Sequence, residues 1–248
     1  MKRQLQYTLM LLAASFLAGF KSVDNSWQEI TVADYDKIVD VAESFFKQTT
    51  CTVEYKMESF KTHTDKNAHD AQFGKAIISG KNMYSNFLGI KTIQNKNYRI
   101  VIDSVDKTIL IANPVNVTEY KPLIENYKVF KKYFASIKKL NTVEGFKLEL
   151  NFKEKLKIKK IMLDVNKDGF IKKTSSYLNV AISENPANEK APKSKPRIET
   201  SFLSYKKNVT IDYKKYFDEA IYFIVKNGKM TPNGNYKNYT ISDTRIKQ

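Results

Sequence analysis

The chain is poor in the residues from which most active sites are built. Its 248 residues include one cysteine, two histidines, one tryptophan and eight glycines. A single thiol excludes an internal disulfide framework. That thiol, Cys51, stands in the alternating run "CTVEYKM", where a small buried hydrophobe is expected. Few glycines leave few places where backbone could close around a phosphate. No G-x-S-x-G, H-E-x-x-H, Gly-rich phosphate loop or C-x-x-C occurs, which removes the common hydrolase, zinc-protease, nucleotide and thiol-redox signatures. The two histidines, His63 and His69, share the loop "KTHTDKNAHD" with Asp65 and Asp70. Four such groups could bind a metal, but a polar hairpin tip offers no rigid frame, so exposed loop residues are expected. "DVNKDGF" at 164–170 imitates the first half of a calcium loop, yet its twelfth position is Ser175 and its flanks read as strands; a β-turn explains the same letters. No cofactor or metal is expected, and the chain reads as non-enzymatic.

Negative charge is also in deficit. Lys and Arg number 42 against 26 Asp and Glu, for a net charge of +16. Such a field suits an anionic envelope surface. The lysines are spread singly rather than in a block, which equally fits a solvated surface that keeps strand edges unpaired. No nucleic-acid partner is expected.

Long apolar runs are missing except at the start. Lys2 and Arg3 precede 14 largely apolar residues from Tyr7 to Phe20, the layout of a secretory signal over residues 1–22. The run is short for a bilayer crossing, which needs about 20 residues. Export to the periplasm or beyond is expected, followed by a single domain over 23–248.

The rest of the chain alternates in two periods. Residues 31–48 read as a helix capped by Thr31, with a stripe of Ala33, Ile38, Val41, Ala42 and Phe45. From "CTVEYKMESF" onward the period is two, and strands follow through "QFGKAIISG", "NMYSNFLG" and "IKTIQNKNYRIVID". Ile109 and Ile111 answer Ile100 and Ile102 across a hairpin. Residues 119–140 carry apolar side chains at three- and four-residue spacing, including Phe130, Phe134, Ile137 and Leu140, and predict a central amphipathic helix. Strands resume with "GFKLELNF" and "KIKKIMLDV", turn at "NKDG", and continue through "RIETSFLSYKKN". Between these, 183–196 is polar with three prolines and reads as a flexible loop. The order defines an α+β fold with an extended antiparallel sheet.

An N-terminal signal, a helix ending in "ESFFKQTTCTVEYKMES", the strand succession "GKAIISGKNMYSNFLGIKTIQNKNYRIVIDSVDKTILIANP", and later "KIKKIMLDVNKDGFIKK" and "TSFLSYKKN" together resemble the LolA/LolB-like outer-membrane lipoprotein carrier superfamily over roughly residues 30–243. The resemblance implies a curved antiparallel sheet, an incomplete barrel closed by the N-terminal and central helices. It also implies an apolar concavity for a lipid or lipoprotein acyl chains. Candidate lining residues are Met83, Phe87, Ile100, Ile102, Ile109, Ile111, Leu148, Leu150, Ile161 and Leu163; the alternative is that they form an ordinary filled core. Function divides the same way. The chain either carries a lipid or lipidated partner in that concavity, or uses its basic surface to hold an anionic glycan, lipopolysaccharide or protein. A hydrolase built from scattered carboxylates stands behind both.

Overall fold

A computed structural model describes residues 26–46, 50–115, 131–154, 156–183 and 193–245, with side chains of 42–46 excepted. The expected signal segment and residues 119–130 of the expected central helix lie outside the described residues. The first elements are β1 (Gln28–Glu29) and α1 (Val32–Phe46). A meander follows: β2 (Thr50–Phe60), β3 (Asp70–Ser79), β4 (Asn82–Phe87), β5 (Ile90–Gln94), β6 (Arg99–Asp103) and β7 (Thr108–Ala112). A second meander holds β8 (Phe134–Thr142), β9 (Gly145–Phe152), β10 (Ile158–Asn166) and β11 (Ile171–Leu178). The two-residue strands β12 (Ile182–Ser183) and β13 (Lys193–Ser194) pair with each other, so the 183–196 excursion closes as a hairpin at its base. Then come β14 (Arg197–Lys207), the short helix α2 (Tyr213–Tyr216), the hairpin β15 (Phe223–Lys226) with β16 (Lys229–Pro232), and β17 (Thr240–Asp243).

Thirteen strands form one sheet in the order β1-β8-β9-β10-β11-β14-β2-β3-β4-β5-β6-β7-β17. The two meanders join where β14 pairs antiparallel with β2, Arg197 opposite Phe60 and Lys207 opposite Cys51. Every pairing in this sheet is antiparallel except β17 with β7. Among the described residues the edge strands β1 and β17 do not pair with each other, so the sheet they form is open.

Opposed residues in neighbouring strands share a face, and the register divides the apolar side chains into two cores on opposite faces. On one face, called here the helix face, α1 lays Tyr35 and Val39 over Phe134, Ile137, Leu148, Leu150, Phe152, Ile161, Leu163 and Val165. The Tyr35 ring meets Phe134 edge-on at 5.3 Å. On the other face, the C-terminal segment drops Tyr222 and Phe223 onto Ile93, Ile100, Ile102, Ile109 and Ile111.

Two sequence expectations need correction. Residues 134–140, expected in a helix, lie in strand β8. Their helical spacing comes from a bulge. Phe134 opposes Phe152 and Ser136 opposes Asn151, so Ala135 is an extra residue and Phe134 and Ile137 both reach the core three positions apart. In α1 the buried stripe is Tyr35, Ile38 and Val39, whereas Ala33 and Val41 are exposed. The Thr31 cap holds: Asp34 N donates to Thr31 Oγ1 at 3.1 Å, and Thr31 N returns a bond to Asp34 Oδ2 at 3.3 Å.

The β4–β5 connection is a two-residue loop, Leu88-Gly89, with φ of +54° and +76°. Hairpins of this length ask for Asn-Gly, and a branched, half-exposed leucine is costly in the left-handed region, by roughly 1–2 kcal/mol. Leu88→Asn is therefore expected to stabilise the chain by about 1 kcal/mol, a rise of roughly 2–4 °C in Tm, readable by thermal denaturation.

Candidate functional site

The ten expected lining residues do not share one surface. Leu148, Leu150, Ile161 and Leu163 lie on the helix face, all at most 6 % exposed, beneath α1. Ile100, Ile102, Ile109 and Ile111 lie on the opposite face at 0 % exposure, beneath Tyr222 and Phe223. Met83 and Phe87 are half-buried on the helix face, since Met83 opposes Ile78 and Gln94, and Phe87 opposes Ile90. Eight of the ten thus sit inside two separate filled cores, because each core is closed by an element whose apolar content the strand pattern alone does not reveal. Only Met83 and Phe87 lie outside both.

Those two belong to a different group. Between the α1 core and β7, the helix face carries three parallel lines of side chains running across the strands. One holds Cys51, Ile78, Met83 and Gln94. The next holds Tyr205, Val53, Ala76, Ser85, Thr92, Val101 and Leu110. The third holds Phe202, Tyr55 and Gly74, then Phe87 and Ile90. The middle line is small over β3, β4 and β5, and bulkier residues flank it: a floor between two walls. It crosses six inter-strand steps from Tyr205 to Leu110, roughly 29 Å at about 4.8 Å per strand.

The second wall is aromatic. Tyr55 lies 5.5 Å from Phe87 and 6.5 Å from Phe202. Phe170 continues the line, 5.9 Å from Phe202 and stacked on Tyr205 at 4.9 Å. The hydroxyl end of the Tyr55 ring packs against Gly74, where an added Cβ would lie 2.2 Å from Cζ, so this glycine is required for close approach rather than for a turn. Val53, Tyr55, Ile78, Met83, Phe87, Phe202 and Tyr205 are all half-buried, and none packs in either core. Burial pushes the Tyr55 hydroxyl up, and pushes Tyr205 up to about 12 with Cys51 adding to it. Both phenols stay neutral at physiological pH and act as weakly polar apolar surface. Cys51 is 3 % exposed, and burial raises its thiol pKa despite an opposing backbone bond at Ile78, which makes it a packing residue and not a nucleophile.

The opposite face over β8–β3 is polar and laced with ion pairs. Lys160 meets Glu149 at 2.8 Å, Lys173 meets Glu199 at 2.6 Å, Lys56 meets Glu58 at 2.7 Å, and Lys75 meets Glu54 at 2.9 Å. Burial pushes Glu149 up, but Lys160 and Asn151 outweigh it and hold the carboxyl below its ordinary value. Arg197 lies 3.0 Å from Glu199, out of line for a hydrogen bond, and its guanidinium stacks on Phe60 at 4.0 Å. Arg197 also donates to the carbonyls of His63 and Asp65. The 61–69 loop is therefore anchored, contrary to its reading as a free hairpin tip. His63 is half-buried, its Nε2 2.9 Å from the Leu178 carbonyl and its ring edge-on to Tyr177 at 5.3 Å. At 166–170, Asn166 Oδ1 accepts from the Asp168 and Phe170 amides at 3.0 and 2.8 Å. The oxygen a cation would need is committed to a turn, in line with the β-turn expected from the sequence.

No family model and no curated protein matches the chain. Solved structures similar to it include an uncharacterized conserved protein from Thermus thermophilus, at 9 % identity over 85 % of this chain and 99 % of that chain, with a TM-score of 0.44. A LolA superfamily protein from Nitrosomonas europaea matches at 14 % identity over 74 % of this chain and 97 % of that chain, TM-score 0.30. An outer membrane lipoprotein-sorting protein domain from Vibrio parahaemolyticus matches at 9 % identity over 73 % and 96 %, TM-score 0.29. The likeness to LolA-type structures is one of outline, and at these TM-scores it carries no weight for ligand or site.

Proposed function

We propose that the chain is a non-enzymatic exported envelope protein, periplasmic or secreted through its N-terminal segment, that binds a lipid or the acyl chains of a lipidated partner. One observation carries this reading: the lines of half-exposed apolar side chains on the helix face, outside both cores. Met83, Phe87, Tyr55, Ile78, Phe202 and Tyr205 form the lining, with Ala76, Ser85 and Thr92 as the floor. Neutral phenols and aliphatic walls offer a chain-like ligand apolar area, at about 25 cal/mol per Å² hidden from water, with charge only where the flanking lines run on, at Lys207, Arg99 and Asp103. Leu148, Leu150, Ile161 and Leu163 would join the lining only if α1 moved aside. The four isoleucines would join only if the C-terminal segment did.

Native mass spectrometry of the mature protein, purified without detergent from its own host, tests the reading. A retained adduct of lipid mass is expected. A clean apo mass, with no uptake of a fluorescent fatty acid on titration, would overturn it.

A further inference from the structure

We infer a second, polar binding site that takes a short anionic saccharide, in the cleft between the β3–β4 turn, the β5–β6 turn and the C-terminal segment. The cleft has a volume of about 600 Å³ and is lined by Lys81, Asn82, Lys96, Asn97, Tyr213 and Glu219. That volume lies within the range of roughly 300–1,000 Å³ common to small-molecule sites.

Its frame is rigid. Asn95, 1 % exposed, donates from Nδ2 to the Phe217 carbonyl at 3.0 Å and to Glu219 Oε2 at 2.5 Å. Its Oδ1 accepts from the amides of Asn97 and Tyr98 at 2.8 and 2.9 Å. Asn97 Nδ2 adds a bond to Glu219 Oε1 at 3.3 Å. Gln94, 1 % exposed, donates to the Lys81 carbonyl at 3.3 Å and ties the other turn to the same frame. Both turns and the C-terminal segment are therefore held by buried amides, and the cleft between them keeps its shape.

Its chemistry is mixed in a way that selects among ligands. Tyr213 is 45 % exposed and offers an aromatic face beside the cleft. Asn82 and Asn97 supply carboxamides that donate and accept, as sugar hydroxyls require. Glu219 keeps acceptor capacity after its two bonds from asparagine. Lys81 and Lys96 are exposed and form no ion pair among the described residues, unlike Lys56, Lys75, Lys160 and Lys173, which are matched to carboxylates. Two ammonium groups against the single carboxylate of Glu219 leave the cleft with positive charge in excess, which calls for an anionic substituent. The aromatic face and the amides call for a ring with hydroxyls rather than a bare ion.

The test uses the mature full-length chain, with a uronic-acid disaccharide, glucose 6-phosphate, inorganic phosphate and maltose titrated in turn by calorimetry. At least one of the two anionic sugars is expected to bind, with inorganic phosphate and maltose each at least tenfold weaker. Lys81→Gln with Lys96→Gln is expected to lower anionic-sugar affinity by roughly tenfold or more, the scale of charge-assisted hydrogen bonds. Tyr213→Leu is expected to lower it while leaving phosphate unchanged. All three positions are at the surface, and an unchanged Tm certifies each variant. No binding of either sugar would overturn the site. So would phosphate binding as tightly as the sugars, or Tyr213→Leu having no effect. The lipid reading is untouched by these outcomes, because the cleft shares no residue with the apolar lining.

Discussion

Leu150→Ala is expected to cost about 2–5 kcal/mol of stability, and Ile100→Ala a similar amount, each by emptying a filled site that closes only in part. Both residues are at 0 % exposure. Leu150 opposes Ile137 and Ile161 beneath α1, and Ile100 opposes Ile93 and Ile111 beneath Phe223. The two substitutions sit in separate clusters on opposite faces of one sheet, so their costs should add to within about 0.5 kcal/mol in the double variant. Guanidinium denaturation of the four species checks this. A wall shared by one open cavity would behave otherwise, with small single costs because the removed methyls were already facing a void, and with coupling between neighbours. Small, coupled costs would therefore return both residues to a common lining.

The contrast shows how far the sequence could be read. Period-two alternation placed β2 to β7 and β9 to β11 and paired Ile100 and Ile102 with the isoleucines of β7, because strand period and turn chemistry are local properties. The face each side chain occupies relative to a cover is not local. Met83 and Phe87 are as apolar as Ile100, yet the register puts them on the other side of the sheet. Nothing in "YRIVID" announces that Tyr222 and Phe223, more than a hundred residues later, will close over it. The β8 error has a related cause. A single bulge at Ala135 converts strand spacing into apparent helix spacing, and this one, lacking the glycine that marks some bulges, leaves no sign in residue type. The aromatic wall was missed because Phe170, just before β11, and Phe202 and Tyr205, in β14, meet Tyr55 and Phe87 only through the β14–β2 pairing. The one local clue was Gly74 in mid-strand, where a glycine suggests a close approach; here the approaching group is the Tyr55 ring.

Phe87→Asp is expected to abolish measurable acyl-chain binding while leaving the fold intact. Phe87 is half-buried and packs in neither core, and its described aromatic neighbour is Tyr55 at 5.5 Å, so folding loses little when it goes. Binding loses more. Covering the exposed half of the phenyl group is worth about 1 kcal/mol, or roughly fivefold in affinity, and a carboxylate left beside an alkyl chain adds a larger desolvation penalty. Titration of a fluorescent fatty acid into wild type and variant, with Tm as control, reads both effects. Leu150→Ala supplies the opposite pattern: a large fall in Tm with affinity preserved at temperatures where the chain is folded. Salt separates the mechanism further. Apolar binding on this face should hold from low to high ionic strength, whereas attraction to the +16 net charge would fade as screening shortens to a few ångströms. If Phe87→Asp binds the fatty acid as tightly as wild type, the ligand does not lie on the helix face. If Leu150→Ala instead abolishes binding at unchanged stability, the chain opens under α1, and the lining passes to Leu148, Leu150, Ile161 and Leu163.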